Sequence, residues 1–137
     1  MTLLEICDAL KNIAITQPNI NYTGSGDIYS LNSLPNINYG VFFITQSNHT
    51  VSEDTTNYNL TLYFIDRLFQ DDSNTVAIQS TGIQVLTNII NKFNYSYSDI
   101  DIEYDLNMTT FLHKFSDKCA GVFCNVSIKS DNNIGIC

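Results

Sequence analysis

Four acidic residues alternate along one short segment of the chain: Asp99, Asp101, Glu103 and Asp105. On a β-strand, alternate residues share a face and lie about 6.6–7 Å apart. This spacing is within reach of the carboxylate separation in inverting glycosidases. Such an enzyme also needs one acid in an apolar pocket that raises its pKa, and four acids on one solvated face oppose this. We therefore expect a solvated or interface face here, in preference to a catalytic pair.

Metal binding by these acids is a less favoured alternative. The pattern Asp-x-Asp-x-Glu resembles the start of a calcium loop. That loop requires glycine at its sixth position and glutamate at its twelfth, where this chain has Tyr104 and Thr110.

A second metal motif has the spacing H-x5-C-x4-C-x12-C and consists of His113, Cys119, Cys124 and Cys137. Zinc sites typically contain tight pairs of ligands, and only the two central cysteines approach that spacing. The motif also lacks a third residue that would orient a Cys/His nucleophilic pair. We predict no metal and no cofactor, with zinc as a minor alternative.

Other catalytic signatures do not occur in the sequence. It contains no Gly-x-Ser-x-Gly, no Walker-type loop and no His-Glu-x-x-His. The segment Gly24-Ser25-Gly26 is predicted to be a turn, because no strand and helix flank it as a phosphate-binding loop requires. We therefore predict that the chain is not an enzyme.

Composition and charge limit the partners of the chain. Its 137 residues fit one domain, and 44% of them are hydrophobic, enough for an ordinary core. Fourteen acidic residues against six Lys and Arg give a net charge of −8. Binding to a nucleic-acid backbone requires clustered cations, so we expect DNA to be repelled and not gripped. No apolar run reaches membrane length, and acids replace the basic start of a signal peptide, so we expect a chain made in a cytosol with reduced cysteines.

The hydrophobic pattern predicts a helix over Leu3–Ile13, with Cys7 on its apolar stripe and a Thr-x-x-Glu capping box formed by Thr2 and Glu5. A short strand is predicted at Asp27–Leu31. A second helix is predicted over Asn74–Phe93, where Gly82 is expected to pack closely on the sheet. Its expected core stripe consists of Val76, Ile83, Leu86, Ile90 and Phe93, with Val85 and Ile89 beside them.

The strongest strand signals form a hairpin. Tyr39–Gln46 is a run of aromatic and β-branched residues, and Asn57–Arg67 alternates between two faces. The intervening residues Ser47–Thr56 are predicted to form a ten-residue protruding loop. Asp99–Thr109 alternates regularly and is predicted to pair with a last strand, Val122–Ile128. The order of elements predicts a single α+β domain, with an antiparallel or mixed sheet, a long hairpin and two packed helices.

The pattern from Tyr39 to Phe93 resembles a known family. It combines an apolar strand, an acidic loop, the strand Tyr58–Arg67, an Asp-Asp-Ser-Asn break and the helix that begins around Ile78-Gln79-Ser80-Thr81-Gly82-Ile83. This arrangement resembles the tail-terminator and neck-ring (head-to-tail connector) proteins of tailed bacteriophages, particularly crAss-like phages. The resemblance extends over most of the chain, including the end at Phe115–Ile128.

The resemblance implies a structural virion protein without enzymatic activity or cofactor. It implies a homo-oligomeric ring, six- or twelve-fold, between portal and tail, with DNA passing through its lumen without specific binding. Portal, neck and tail proteins would be its partners, and it would lie in the virion after assembly in the host cytoplasm, away from membranes. The candidate interface or lumen residues are Asn48, His49, Glu53, Asp54, Asp99, Asp101, Glu103 and Asp105. The alternative is a small acidic inhibitor that mimics DNA, or another protein-binding module.

Overall fold

The computed structural model describes residues 1–28, 38–69, 71–103, 106–112 and 118–131. It has two helices, α1 (Leu3–Ile15) and α2 (Thr75–Ser96). The strands are β1 (Tyr22–Ser25), β2 (Val41–Gln46), β3 (Thr50–Val51), β4 (Thr55–Arg67), β5 (Ile100–Ile102), β6 (Met108–Leu112) and β7 (Cys119–Asp131). The predicted α+β class is confirmed.

The seven strands form one mixed sheet in the order β1-β2-β4-β7-β5. The pair β1–β2 is parallel and the other pairs are antiparallel. The two longest strands, β4 and β7, pair along all 13 of their residues and form the centre of the sheet. On the outer side of β7, β5 and β6 follow one another along its length.

The predicted hairpin is confirmed, since Val41 pairs with Ile65 and Gln46 with Leu60. The predicted ten-residue loop is wrong. Thr50 and Val51 pair with Asn57 and Thr56 of β4, which divides the predicted loop into a bulge at residues 47–49 and a tight turn at residues 52–54. The β-branched residues in this segment extend the ladder towards the turn.

Both predicted helices are confirmed, each somewhat longer than expected. The capping box of α1 is present, with Thr2 Oγ1 accepting from Glu5 N–H and Glu5 Oε1 accepting from Thr2 N–H, both at 3.2 Å. Gly82 lies against the sheet as predicted, and a Cβ added there would come within 2.8 Å of Val122 Cγ2.

Two sequence predictions about strands need correction. The strand predicted at Asp27–Leu31 is absent at Asp27 and Ile28, and residues 29–31 lie outside the described part. The chain instead forms β1 earlier, so Gly24 and Ser25 lie in a strand, and only Gly26, with φ +125°, turns the chain. The strand predicted at Asp99–Thr109 is two separate strands, β5 and β6, both antiparallel to β7 as expected.

The core lies on both faces of the sheet. The helix face packs against α1 and α2, with Phe42, Leu62, Phe64 and Val122 fully buried. The opposite, outer face has a smaller apolar cluster that includes Phe43, Tyr63 and Ile65. Val41–Ile44 of β2 is buried on both faces of the sheet, which explains the continuous apolar run of this strand. Of the described residues, none form a helix long and apolar enough to cross a membrane.

Candidate functional site

Asp99 and Asp101 lie at the same end of the sheet as the turn acids chosen from the sequence. Glu53 and Asp54 occupy the turn between β3 and β4. The next residue, Thr55, pairs with Asp131 at the end of β7, and Ser130 pairs with Ile100 at the start of β5. We call this region the acidic end and define it by Glu53, Asp54, Asp99, Asp101 and Asp131.

The register sets the spacing of these carboxylates. Neighbouring strands lie about 4.8 Å apart, so the backbones that carry Asp54 and Asp99 are separated by two strand spacings, about 10 Å. The proximity of Asp54 and Asp99 could not be predicted from the sequence, because β4 and β5 do not pair with each other but both pair with β7. All five side chains of the acidic end are exposed.

Few cations accompany the acidic end. The N-terminal ammonium of Met1 lies 3.8 Å from Asp99 Oδ2 and donates a hydrogen bond to Ser130 Oγ at 2.6 Å. Lys129 is opposite Asp101 in the pairing of β5 with β7. Among the described residues, five carboxylates therefore share the region with two positive groups, which makes the local potential negative.

The acid row of the sequence does not continue as one face. Because β5 ends at Ile102, Glu103 leaves the strand and lines a cavity of about 170 Å³ beside α2, together with Ile90 and Met108. Asp105 lies outside the described residues. The structure therefore joins Asp99 and Asp101 to the turn acids and separates them from Glu103.

Asn48 and His49 lie at a β-bulge between β2 and β3. Gln46 pairs with Leu60 and Thr50 with Asn57, so three residues oppose two and the strand bends. The Asn48 carbonyl accepts from Asn59 Nδ2 at 2.6 Å. His49 Nδ1 accepts from the Asn59 N–H at 3.3 Å, and its Nε2 lies 3.1 Å from Gln46 Oε1. These contacts tie Asn48 and His49 to β2 and β4, and neither residue belongs to the acidic end.

The arrangement does not offer a catalytic acid pair in the described ranges. The carboxylates of the acidic end are solvent-exposed and lack the apolar pocket that a general acid needs. In the same ranges, no group of three His, Cys, Asp or Glu is placed to hold a metal ion. What the acidic end can do is repel polyanions and attract basic surfaces.

The cysteines are placed as core residues. Cys119 lies in the cluster of the outer face and Cys124 in that of the helix face, so the sheet separates them and they cannot bind one ion. This contradicts the zinc alternative for the central pair, and the other two motif residues lie outside the described part. Burial raises the pKa of the Cys124 thiol to about 12, and burial is also the main reason that the pKa of Cys7 is raised.

A groove between α1 and α2 has a volume of about 540 Å³ and is lined by Asn12, Ile13, Lys92 and Tyr95, among others. Tyr95 is 94% exposed at its margin. Among the described residues, the polar side chains of its lining are amides, hydroxyls and the Lys92 ammonium.

The sequence missed one exposed apolar surface. Val76 and Ile83 were expected in the core stripe of α2, yet they are 76% and 41% exposed. Leu112 on β6 is 46% exposed. The other residues of the predicted stripe are buried as expected, and Gly82 lies in the core beside them: Leu86, Ile90 and Phe93, with Val85 and Ile89.

Comparison of the sequence with protein-family models and with curated proteins gives no match.

Proposed function

We propose that the chain is a structural virion protein, a ring subunit in the neck or tail of a tailed bacteriophage that connects the portal to the tail. In this role the acidic end faces the lumen through which DNA passes. The observation that carries the proposal is the convergence of Glu53, Asp54, Asp99 and Asp131, from three distant parts of the chain, at one end of the sheet.

An acidic lining suits a passage for DNA. Binding of DNA gains most of its affinity from cations that release counterions from phosphates, and a negative lining offers none. The Debye length at physiological salt is about 8 Å, which is similar to the separation of one or two strand spacings between these carboxylates. Their electrostatic fields therefore overlap. DNA would move past such a surface without being held.

The surrounding structure is consistent with a role without catalysis. Cys7, Cys119 and Cys124 are buried, and the exposed carboxylates of the acidic end are not paired with an activated nucleophile among the described residues. The proposal accordingly includes no cofactor and no metal. Its partners are other copies of the chain, in a six- or twelve-fold ring, and the adjoining portal, neck and tail proteins.

A second candidate function rests on the same observation. Exposed carboxylates at strand spacings could imitate phosphates and bind a basic protein, as a DNA-mimicking inhibitor or another protein-binding module does. This candidate requires the acidic end to be covered by a partner, whereas the ring requires it to face a channel.

Electron microscopy of virions that carry this gene tests the proposal. We expect the chain in a six- or twelve-fold ring in the neck or tail, with the acidic end towards the lumen. Neutralising Glu53→Gln, Asp54→Asn and Asp99→Asn together should leave rings intact and slow genome ejection. Asp8→Asn, which removes an exposed acid of α1 beside Lys11, serves as the control. Absence of the chain from purified virions would refute the ring. Competition with DNA for a nuclease or repressor would favour the inhibitor.

A further inference from the structure

The surface beside β6 combines β6, which has no charged residue, with the side of α2 that does not carry Lys92, the one charged residue of that helix. Glu103 lines the cavity that Thr87 and Met108 share. We define the neutral flank as Val76, Gln79, Ile83 and Thr87 on α2 together with β6. We infer that a second copy of this chain binds at the neutral flank. The inference rests on the proposed function in one respect, since it assumes that the chain assembles with itself.

Contacts place this side of α2 along β6. Gln79 Nε2 donates to the Phe111 carbonyl at 3.3 Å. Thr87 and Met108 line the same 170 Å³ cavity. Val76, Ile83 and Thr87 are separated by seven and four residues, which places them on one side of the helix with Gln79 nearby. The exposed apolar side chains of Val76, Ile83 and Leu112 therefore belong to one surface.

Charge argues for a second copy at this place. Each copy carries a net charge of −8, so two copies repel least where they meet at a surface with few charges. The 22 residues of α2 include one charged side chain, Lys92, and it lines the groove on the α1 side. The strand β6 has the sequence Met-Thr-Thr-Phe-Leu. Interface cores are depleted of charged residues in the same way. A basic partner would instead prefer the acidic end.

The edge of β6 adds a means of pairing. Among the described residues, β6 forms a ladder with β7 alone. The Phe111 carbonyl accepts from Gln79 and therefore points away from β7. In an antiparallel ladder the backbone N–H and C=O groups of alternate residues point to the same side, so those of Thr109 also point away from β7. Exposed edge strands are usually protected by lysine, proline or a bulge, and β6 has neither residue. Gln79 occupies the Phe111 carbonyl at this edge, and we infer that the backbone of Thr109 pairs with a strand of the second copy.

Substitutions that act on the neutral flank test the inference. Val76→Asp places a charge where the side chain is 76% exposed, so the fold should tolerate it. Leu4→Asp is the matched control, because Leu4 is a 70% exposed apolar residue on the other helix. Thr109→Pro removes a backbone donor at the edge, and Thr109→Ala changes only the side chain. Self-association is measured by sedimentation velocity, with thermal melts as the check on folding.

We expect Val76→Asp and Thr109→Pro to weaken self-association at least tenfold, while Leu4→Asp and Thr109→Ala assemble like the wild type. Ile83→Asp, at a 41% exposed position, repeats the test independently if Thr109→Pro fails to fold. Unchanged assembly of folded Val76→Asp and Ile83→Asp would overturn the neutral flank and leave the ring proposal intact. A wild-type chain that stays monomeric at millimolar concentration would also overturn it. The ring itself is refuted separately, by absence of the chain from virions.

Discussion

The backbone N–H of Asn59 donates a hydrogen bond to the imidazole Nδ1 of His49, at 3.3 Å across the bulge between β2 and β3. The remaining groups of Asn59 serve the same region. Its carbonyl accepts from Ser47 N–H at 3.0 Å, its Nδ2 donates to the Asn48 carbonyl at 2.6 Å, and its Oδ1 accepts from Ser127 Oγ at 2.6 Å. One residue of the central strand thus fixes three bulge residues, and with them the direction in which β3 leads to the acidic end.

Replacing Asn59 with alanine should destabilise the chain by about 1–3 kcal/mol, because two side-chain hydrogen bonds are lost and their partners are left without them. Asn125→Ala is the matched control on the neighbouring strand, where Oδ1 accepts a single exposed bond from Thr61 Oγ1 at 2.7 Å. It should cost less than about 1 kcal/mol. Urea denaturation monitored by circular dichroism measures both. Equal losses in the two variants would show that Asn59 has no special role at the bulge.

Gly82→Ala should destabilise the chain although alanine is the better helix former. Replacing glycine by alanine inside a helix stabilises the helix by about 1 kcal/mol through intrinsic helix propensity. The added Cβ would lie 2.8 Å from Val122 Cγ2 and 2.9 Å from Phe64 Cδ2, both in the packed core, and overpacking costs about 1–3 kcal/mol. Ser80→Ala on the exposed side of α2 gives the propensity gain without the contact. Thermal melts should therefore move in opposite directions, and a higher melting temperature for Gly82→Ala would contradict the close approach of α2 to the sheet.

The sequence predicted local elements well because their signals are local. The stripe of α1 and the alternation of Asn57–Arg67 follow periods of 3.6 and 2 that neighbouring residues determine. Alternation of polar and apolar residues indicates on which face of a sheet each side chain lies, but it does not indicate whether the strand is continuous. The regular alternation of Asp99–Thr109 therefore gave no sign of the break between β5 and β6. The register that brings Asp99 near Asp54 depends on β7 and has no signal in either segment.

The exposure of Val76 and Ile83, two members of the predicted core stripe of α2, has a geometric cause. Val76, Ile83 and Ile90 repeat every seven residues, and an α-helix drifts about 20° per heptad relative to that repeat. Their exposure falls along the helix from 76% to 41% to 6%, as that drift requires. A heptad-spaced set on a long helix therefore begins outside the core and ends inside it. The neutral flank follows from the same drift.

Reversing charge at the acidic end should create binding to DNA where the wild type has none. Glu53→Lys, Asp54→Lys and Asp99→Lys together would place three cations at one end of the sheet, and each phosphate contact should contribute a slope of about −0.9 in log K against log salt. Gel mobility shifts across a salt series measure this. The single change Asp8→Lys, on the exposed part of α1, is the control for overall charge. Equal binding per added cation at both places would mean that the clustering has no effect.

The buried thiols should resist modification until the chain unfolds. Only the thiolate reacts quickly with maleimide or a disulfide reagent, and burial holds the pKa of Cys124 near 12. Cys7 and Cys119 are buried as well. In a Cys137→Ser chain at pH 8, mass spectrometry should detect no labelled cysteine under native conditions and three after denaturation in urea. Rapid labelling of Cys124 in the folded chain would show that β7 opens locally.

Two carboxylates near the start of α2 should make opposite contributions to the dependence of stability on pH. Burial raises the pKa of Asp66 above its ordinary value, although the Arg67 N–H opposes this. The folded state then binds the proton more readily than the unfolded state, so stability falls as pH rises from the ordinary pKa through the raised one. Hydrogen bonds from the side chain and N–H of Ser73 lower the pKa of Asp71, so its stabilisation is present above the ordinary pKa and is lost as pH falls through the lowered one.

Asp66→Asn should therefore be more stable than the wild type at pH 7, because asparagine keeps an acceptor for the Arg67 N–H, which donates to Asp66 Oδ1 at 2.8 Å. Asp71→Asn should be less stable at pH 7, because it loses the charge that accepts from Ser73 N–H at 3.1 Å. Both differences should shrink on acidification, that of Asp66 as pH falls from its raised pKa to the ordinary aspartate pKa, and that of Asp71 as pH falls from the ordinary pKa through its lowered one. Urea denaturation between pH 2.5 and 7 measures them. A gain in stability for Asp71→Asn at pH 7, or a loss for Asp66→Asn, would reverse the assigned causes.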